Sequence, residues 1–68
     1  MKVAVIGTGL IGASVGLAAR RAGHDVRGWD TNSNALSTAG AVGAVDPADS
    51  ADDAAASAEL VVVAVQVT

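Results

Sequence analysis

Three glycines in Gly7-Thr8-Gly9-Leu10-Ile11-Gly12 stand between a short apolar run, Lys2 to Ile6, and a stretch of small and aliphatic residues, Leu10 to Ala22. That placement restricts what the chain can build. The first glycine permits a sharp turn out of a buried strand. The second has no Cβ, so the main chain can approach a bound group closely, and the third lets a following helix pack tightly on a sheet. Strand, tight loop and helix are therefore predicted in that order. Amides around Leu10 to Gly12 would lack partners at the start of such a helix and, with its dipole behind them, would suit a diphosphate.

The rest of the chain repeats the alternation. Arg20 and Arg21 suit the negative end of the first helix, and Gly23 supplies its left-handed terminus. Asp25 to Asp30, with Val26 and Trp29, reads as a second strand. Thr31, Asn32 and Ser33 are capping residues ahead of Ala35, Leu36, Ala39 and Val42, which recur at helical spacing. Gly43 closes that second helix, and Gly40 weakens it. Ala44 to Asp46 leaves room for a strand stub before Pro47. Ser50 with Asp53 resembles a capping box opening a third helix, Ala51 to Ala58. Leu60 to Val65 is a continuous apolar run suited to a parallel strand buried on both faces. The alternation predicts an α/β fold. The expected architecture is a three-layer Rossmann-like half-fold, with a parallel sheet in the order 3-2-1-4 and about three helices.

Asp30 lies 18 residues after Gly12, at the end of the second predicted strand. A carboxylate there can accept hydrogen bonds from ribose hydroxyls and would repel the 2′-phosphate of NADP. No arginine follows in Thr31-Asn32-Ser33-Asn34, so NAD is the expected cofactor.

Other chemistries find less support. With no cysteine and one histidine, disulfide scaffolds, thiolate zinc sites and histidine metal clusters are excluded. A net charge of −3 argues against a nucleic-acid partner. No apolar run reaches the roughly 20 residues of a bilayer crossing, and a cytoplasmic location is expected. Asp46, Asp49, Asp52 and Asp53 lack the glycine and terminal glutamate of a calcium loop, and read as caps and first-turn charges. His24 falls at the wrong end of the sheet for catalysis. Ser14 can bond a backbone carbonyl within its helix or lie near the phosphate turn, and Trp29 can pack against the sheet or border an adenine pocket.

Val3 to Ser14, Arg21 to Asp30, Gly43-Ala-Val-Asp46 and Leu60 to Val65 together resemble the N-terminal part of a prephenate or arogenate dehydrogenase. The resemblance implies an enzyme of tyrosine biosynthesis that oxidatively decarboxylates its substrate while NAD takes the hydride. It implies that Gly7, Gly9 and Gly12 carry the phosphate turn, with Thr8 inside it and backbone contacts from Leu10 and Ile11. Asp30 would hold the adenosine ribose, Thr31 would touch it, and Val65 and Gln66 would line the cofactor path. The family's catalytic histidine and serine, and its substrate domain, lie beyond this region. Residues 1–68 are thus expected to form a single truncated dinucleotide-binding domain, inactive alone. The alternative expectation is a minimal or engineered structural module without activity. In either case an exposed Leu60–Val65 edge would favour a homo-oligomer.

Overall fold

The computed structural model describes residues 1–64. In chain order it holds β1 (Lys2–Ile6), α1 (Leu10–Arg21), β2 (Asp25–Trp29), α2 (Ser33–Ala41), β3 (Asp46–Pro47), α3 (Ala51–Ala55) and β4 (Leu60–Val63). The strands form one sheet in the order β3-β2-β1-β4, and every pairing is parallel. This is the Rossmann-like order that the alternation predicts. Val5 lies opposite Gly28 on one side and Val62 on the other, which fixes the register at the centre of the sheet.

Alternation of side chains along β1 divides the interior in two. Val3 and Val5 join Val26, Ala39, Ala44 and Val45 beneath α1 and α2. Ala4 meets Ala48 and Ala54 under α3, with Ile6 and Trp29 packed against them. Aliphatic and small side chains fill both layers, so the helices come close. A Cβ at Gly16 would stand 2.5 Å from the Ala44 carbonyl oxygen, and α1 can seat against that segment only because it has none.

The ends of the elements largely follow their local chemistry. Gly23 and Gly43 have φ of +91° and +77° just past α1 and α2. Asn32 caps α2 through its side-chain oxygen, which accepts from the Asn34 and Ala35 amides. Ser50 accepts from the Asp53 amide at 3.0 Å. The capping box is only half made, because Asp53 Oδ2 turns to the Asp49 amide and to Arg27.

The departures from the sequence expectation concern β3, α3 and β4. β3 is Asp46–Pro47, not Ala44–Asp46: Ala44 and Val45 are buried beneath the helices, and Pro47 is tolerated because β3 is an edge strand. α3 ends at Ala55, three residues early. β4 is not buried on both faces, since Leu60, Val61 and Val63 are exposed on the sheet's other edge. The calls on Val65 and Gln66 lie outside the described residues.

Candidate functional site

The glycine turn sits where β1 hands over to α1, beside the point at which strand order reverses between β1 and β4. In sheets of this kind ligands bind at the carboxyl ends of the strands next to such a reversal. Gly7 takes φ +96°, and its amide donates to the Trp29 carbonyl at 2.8 Å, tying the turn to the end of β2. A Cβ on Gly12 would collide with the Gly7 carbonyl oxygen, so the fold itself requires glycine there. Gly9 is different. Its φ of −68° and ψ of −164° suit any residue, and an added Cβ would meet nothing within 4 Å.

The first backbone bond of α1 runs from the Ala13 amide to the Gly9 carbonyl at 2.8 Å. The amides of Leu10, Ile11 and Gly12 precede it and belong to the unpaired first turn. Leu10 and Ile11 are 86% and 72% exposed. With Val15, Val62 and Val63 they line an apolar groove between α1 and β4 that begins at Gly9. The Ser14 hydroxyl donates to the Leu10 carbonyl at 2.8 Å, a bond within the helix.

Asp30 immediately follows β2 and closes on the turn. Its Oδ2 accepts from the Thr8 amide at 2.6 Å and from the Thr8 hydroxyl at 3.2 Å, and its Oδ1 accepts from the Asn32 amide at 2.8 Å. The Asn32 and Thr8 amides hold the carboxyl below its ordinary value of 3.8, against the upward push of burial, with the Thr8 and Thr31 hydroxyls assisting. Thr8 is only 3% exposed. Above these bonds lies a cleft of about 340 Å³ bordered by Gly7, Gly9, Trp29, Asp30, Thr31 and Ala35. The sequence-predicted residues Gly7, Thr8, Gly9, Leu10, Ile11, Gly12, Asp30 and Thr31 thus gather at one end of the sheet. Trp29 packs against the α3 layer and also borders the cleft.

Sequence reasoning did not foresee the link between Thr8 and Asp30. The Asp30–Asn32 bond had a local signal, because aspartate often accepts from the amide two residues on.

Charge is divided along the chain. Lys2, Arg20, Arg21, His24 and Arg27 are its basic residues, and residues 28–68 contain none. Lys2 opens β1, Arg20 and Arg21 close α1, and His24 precedes β2, all at the end of the sheet away from the turn. His24 Nδ1 lies 3.1 Å from the amino group of Met1. Two of the aspartates read as caps and first-turn charges also carry a partner the sequence did not signal: Asp46, still largely solvated, pairs with Arg20 at 2.6 Å, and Asp53, in the first turn of α3, with Arg27 at 3.0 Å. Among the described residues no three His, Asp or Glu side chains could hold a metal, and no helix is long and apolar enough to cross a membrane.

Comparison with known families agrees with this geometry. No individual curated protein matches the chain. A family profile described as the NAD binding domain of 6-phosphogluconate dehydrogenase matches residues 2–68. The match covers the turn, Asp30 and every strand, and supports a nicotinamide dinucleotide cofactor; it extends to the dinucleotide domain of a dehydrogenase and not to prephenate as substrate. The chain belongs to the family of NAD-binding domains typified by that of 6-phosphogluconate dehydrogenase.

Proposed function

We propose that this chain holds the adenosine diphosphate part of NAD for an oxidoreductase, with residues 1–68 acting as one dinucleotide-binding unit. Gly7, Thr8, Gly9, Leu10, Ile11 and Gly12 form the diphosphate turn, and Asp30 and Thr31 receive the adenosine ribose. The reading rests on one observation: Gly9, with open space before it, and the Asp30 carboxylate border the same cleft. NAD supplies the hydride acceptor at its nicotinamide ring. The chain's own part is to bind and orient the other half of the molecule.

NAD is preferred over NADP on electrostatic grounds. Asp30 is held ionised by its amide donors, and residues 28–68 offer no cation to a 2′-phosphate. Titration of Trp29 emission with each dinucleotide tests both points. A saturable response to NAD at lower concentration than to NADP is expected. A folded chain that ignores NAD, or binds both equally, overturns the assignment.

The oxidoreductase served is read as prephenate-dehydrogenase-like, supported by the Gly9-Leu10-Ile11-Gly12-Ala13-Ser14 turn and by Gly43 to Asp46. Following NADH formation by an oxidoreductase that carries this unit together with its substrate domain, with prephenate, arogenate and 6-phosphogluconate in turn, tests this. Turnover of 6-phosphogluconate alone refutes it.

A second role, self-association, is favoured by β4. It is an edge strand with Leu60, Val61 and Val63 exposed and no charge among its four residues. Such an edge pairs readily with a second copy. Light scattering should find dimers or larger species that Val61→Lys dissociates, whereas a monomer at all concentrations removes this role.

A further inference from the structure

Asp30 accepts more hydrogen bonds from its own chain than a ribose clamp requires. An ionised carboxylate offers about four acceptor positions. At least three are already used: two on Oδ2 by the amide and hydroxyl of Thr8, and one on Oδ1 by the Asn32 amide. The Thr8 amide lies between Gly7 and Gly9, so the carboxylate grips the middle of the turn from a point 22 residues further along the chain. Thr8 is buried, and water cannot readily replace that acceptor. One further bond, from the Gly7 amide to the Trp29 carbonyl, joins the same two segments one residue back on each. Among the described residues, the Thr8–Asp30 and Gly7–Trp29 bonds tie the turn to the end of β2.

We propose that Asp30 is a positioning residue for the diphosphate turn as well as the ribose acceptor. Through Thr8 it sets where Gly9 and the first amides of α1 point, so the two halves of the site gain and lose affinity together. This rests on the dinucleotide reading and adds a coupling to it. The two roles predict opposite signs for one measurement. A carboxylate acting only on ribose repels a nearby anion, so its removal should strengthen diphosphate binding. A carboxylate that aims the amides should weaken diphosphate binding when removed.

Inorganic pyrophosphate, which has no ribose, is the probe. The full chain and its Asp30→Ala, Asp30→Asn and Thr8→Val variants are titrated with it while the Gly9 and Leu10 amide resonances are followed, and NAD is titrated into the wild type in parallel. Asp30→Ala should bind pyrophosphate roughly tenfold more weakly, the loss expected when charge-assisted hydrogen bonds that order the amides disappear. Asp30→Asn keeps an acceptor oxygen for the Thr8 amide and should move the same way by less, which preserves the comparison if the alanine variant unfolds. Thr8→Val keeps the amide bond and should show the smallest loss. The Gly9 amide shift should also titrate with the Asp30 carboxylate in the wild type and lose that inflection in Asp30→Asn. Pyrophosphate binding that is unchanged or tighter in both Asp30 variants, with NAD still bound by the wild type, overturns the coupling alone. A folded wild-type chain that binds no NAD overturns the dinucleotide reading and the coupling with it.

Discussion

Gly9 and Gly12 separate the demands of folding from those of a ligand, and one methyl group at each tells them apart. At Gly12 the new Cβ would overlap the Gly7 carbonyl oxygen and stand 3.3 Å from Val5 Cγ1. The first neighbour is backbone and cannot swing aside, so overpacking should cost about 3 kcal/mol, the upper part of its usual range. Alanine's better helix propensity returns about 1 kcal/mol. The net loss of about 2 kcal/mol lowers the melting temperature of a chain this size by about 8–16 °C. At Gly9 the methyl group meets nothing within 4 Å, and the backbone is already in a region open to alanine. Reduced unfolded-state entropy and a poorer helix cap oppose each other, leaving a change under about 1 kcal/mol. The same methyl projects into the space before the α1 amides and should weaken NAD binding by at least about tenfold through loss of one charge-assisted bond. Calorimetric melting and Trp29 titration of the two variants make the comparison. If Gly9→Ala binds NAD like the wild type, or Gly12→Ala melts where the wild type does, the reasoning fails.

Three further outcomes are expected. The Asp30 carboxyl titrates below its ordinary value, so the stability it contributes is fully present above 3.8 and is lost as pH falls through the lower folded value. The melting temperatures of wild type and Asp30→Asn should therefore converge in acid, and a gap independent of pH contradicts this. Val26 is fully buried; Val26→Ala should cost about 2 kcal/mol from lost transfer energy plus a cavity, read by denaturant unfolding. Asp30→Asn should narrow the preference for NAD over NADP in parallel fluorescence titrations, and an unchanged ratio would place the selectivity elsewhere.

The fold was legible where local chemistry and long-range order agree. Apolar runs alternating with capped helices leave few arrangements, and the parallel order β3-β2-β1-β4 is one of them. Boundaries were lost where tertiary demands decide. The alanines after Ala55 favour helix, yet the chain must turn so that the Glu59 amide can reach the Lys2 carbonyl at 2.8 Å and start β4. Ala44 and Val45 look like strand by composition, but their burial under α1 and α2 moves the ladder to Asp46 and Pro47. In the candidate site, the glycine spacing and the distance to Asp30 were readable because both follow from backbone geometry. The Thr8–Asp30 bonds were not, since a threonine inside a glycine turn carries no mark of a partner 22 residues away. The Arg27–Asp53 pair escaped for the same reason: it joins a strand to a helix on one face of the sheet.

The confinement of every basic residue to positions 2–27, mostly at the base of the sheet, bears on how fast an anionic dinucleotide is captured. Proteins that draw in charged ligands by a long-range field lose that speed as ionic strength rises. A chain of net charge −3 whose diphosphate turn carries only main-chain dipoles offers no such field. Encounter should be unassisted, and added salt should leave the association rate level or raise it slightly by screening the mutual repulsion.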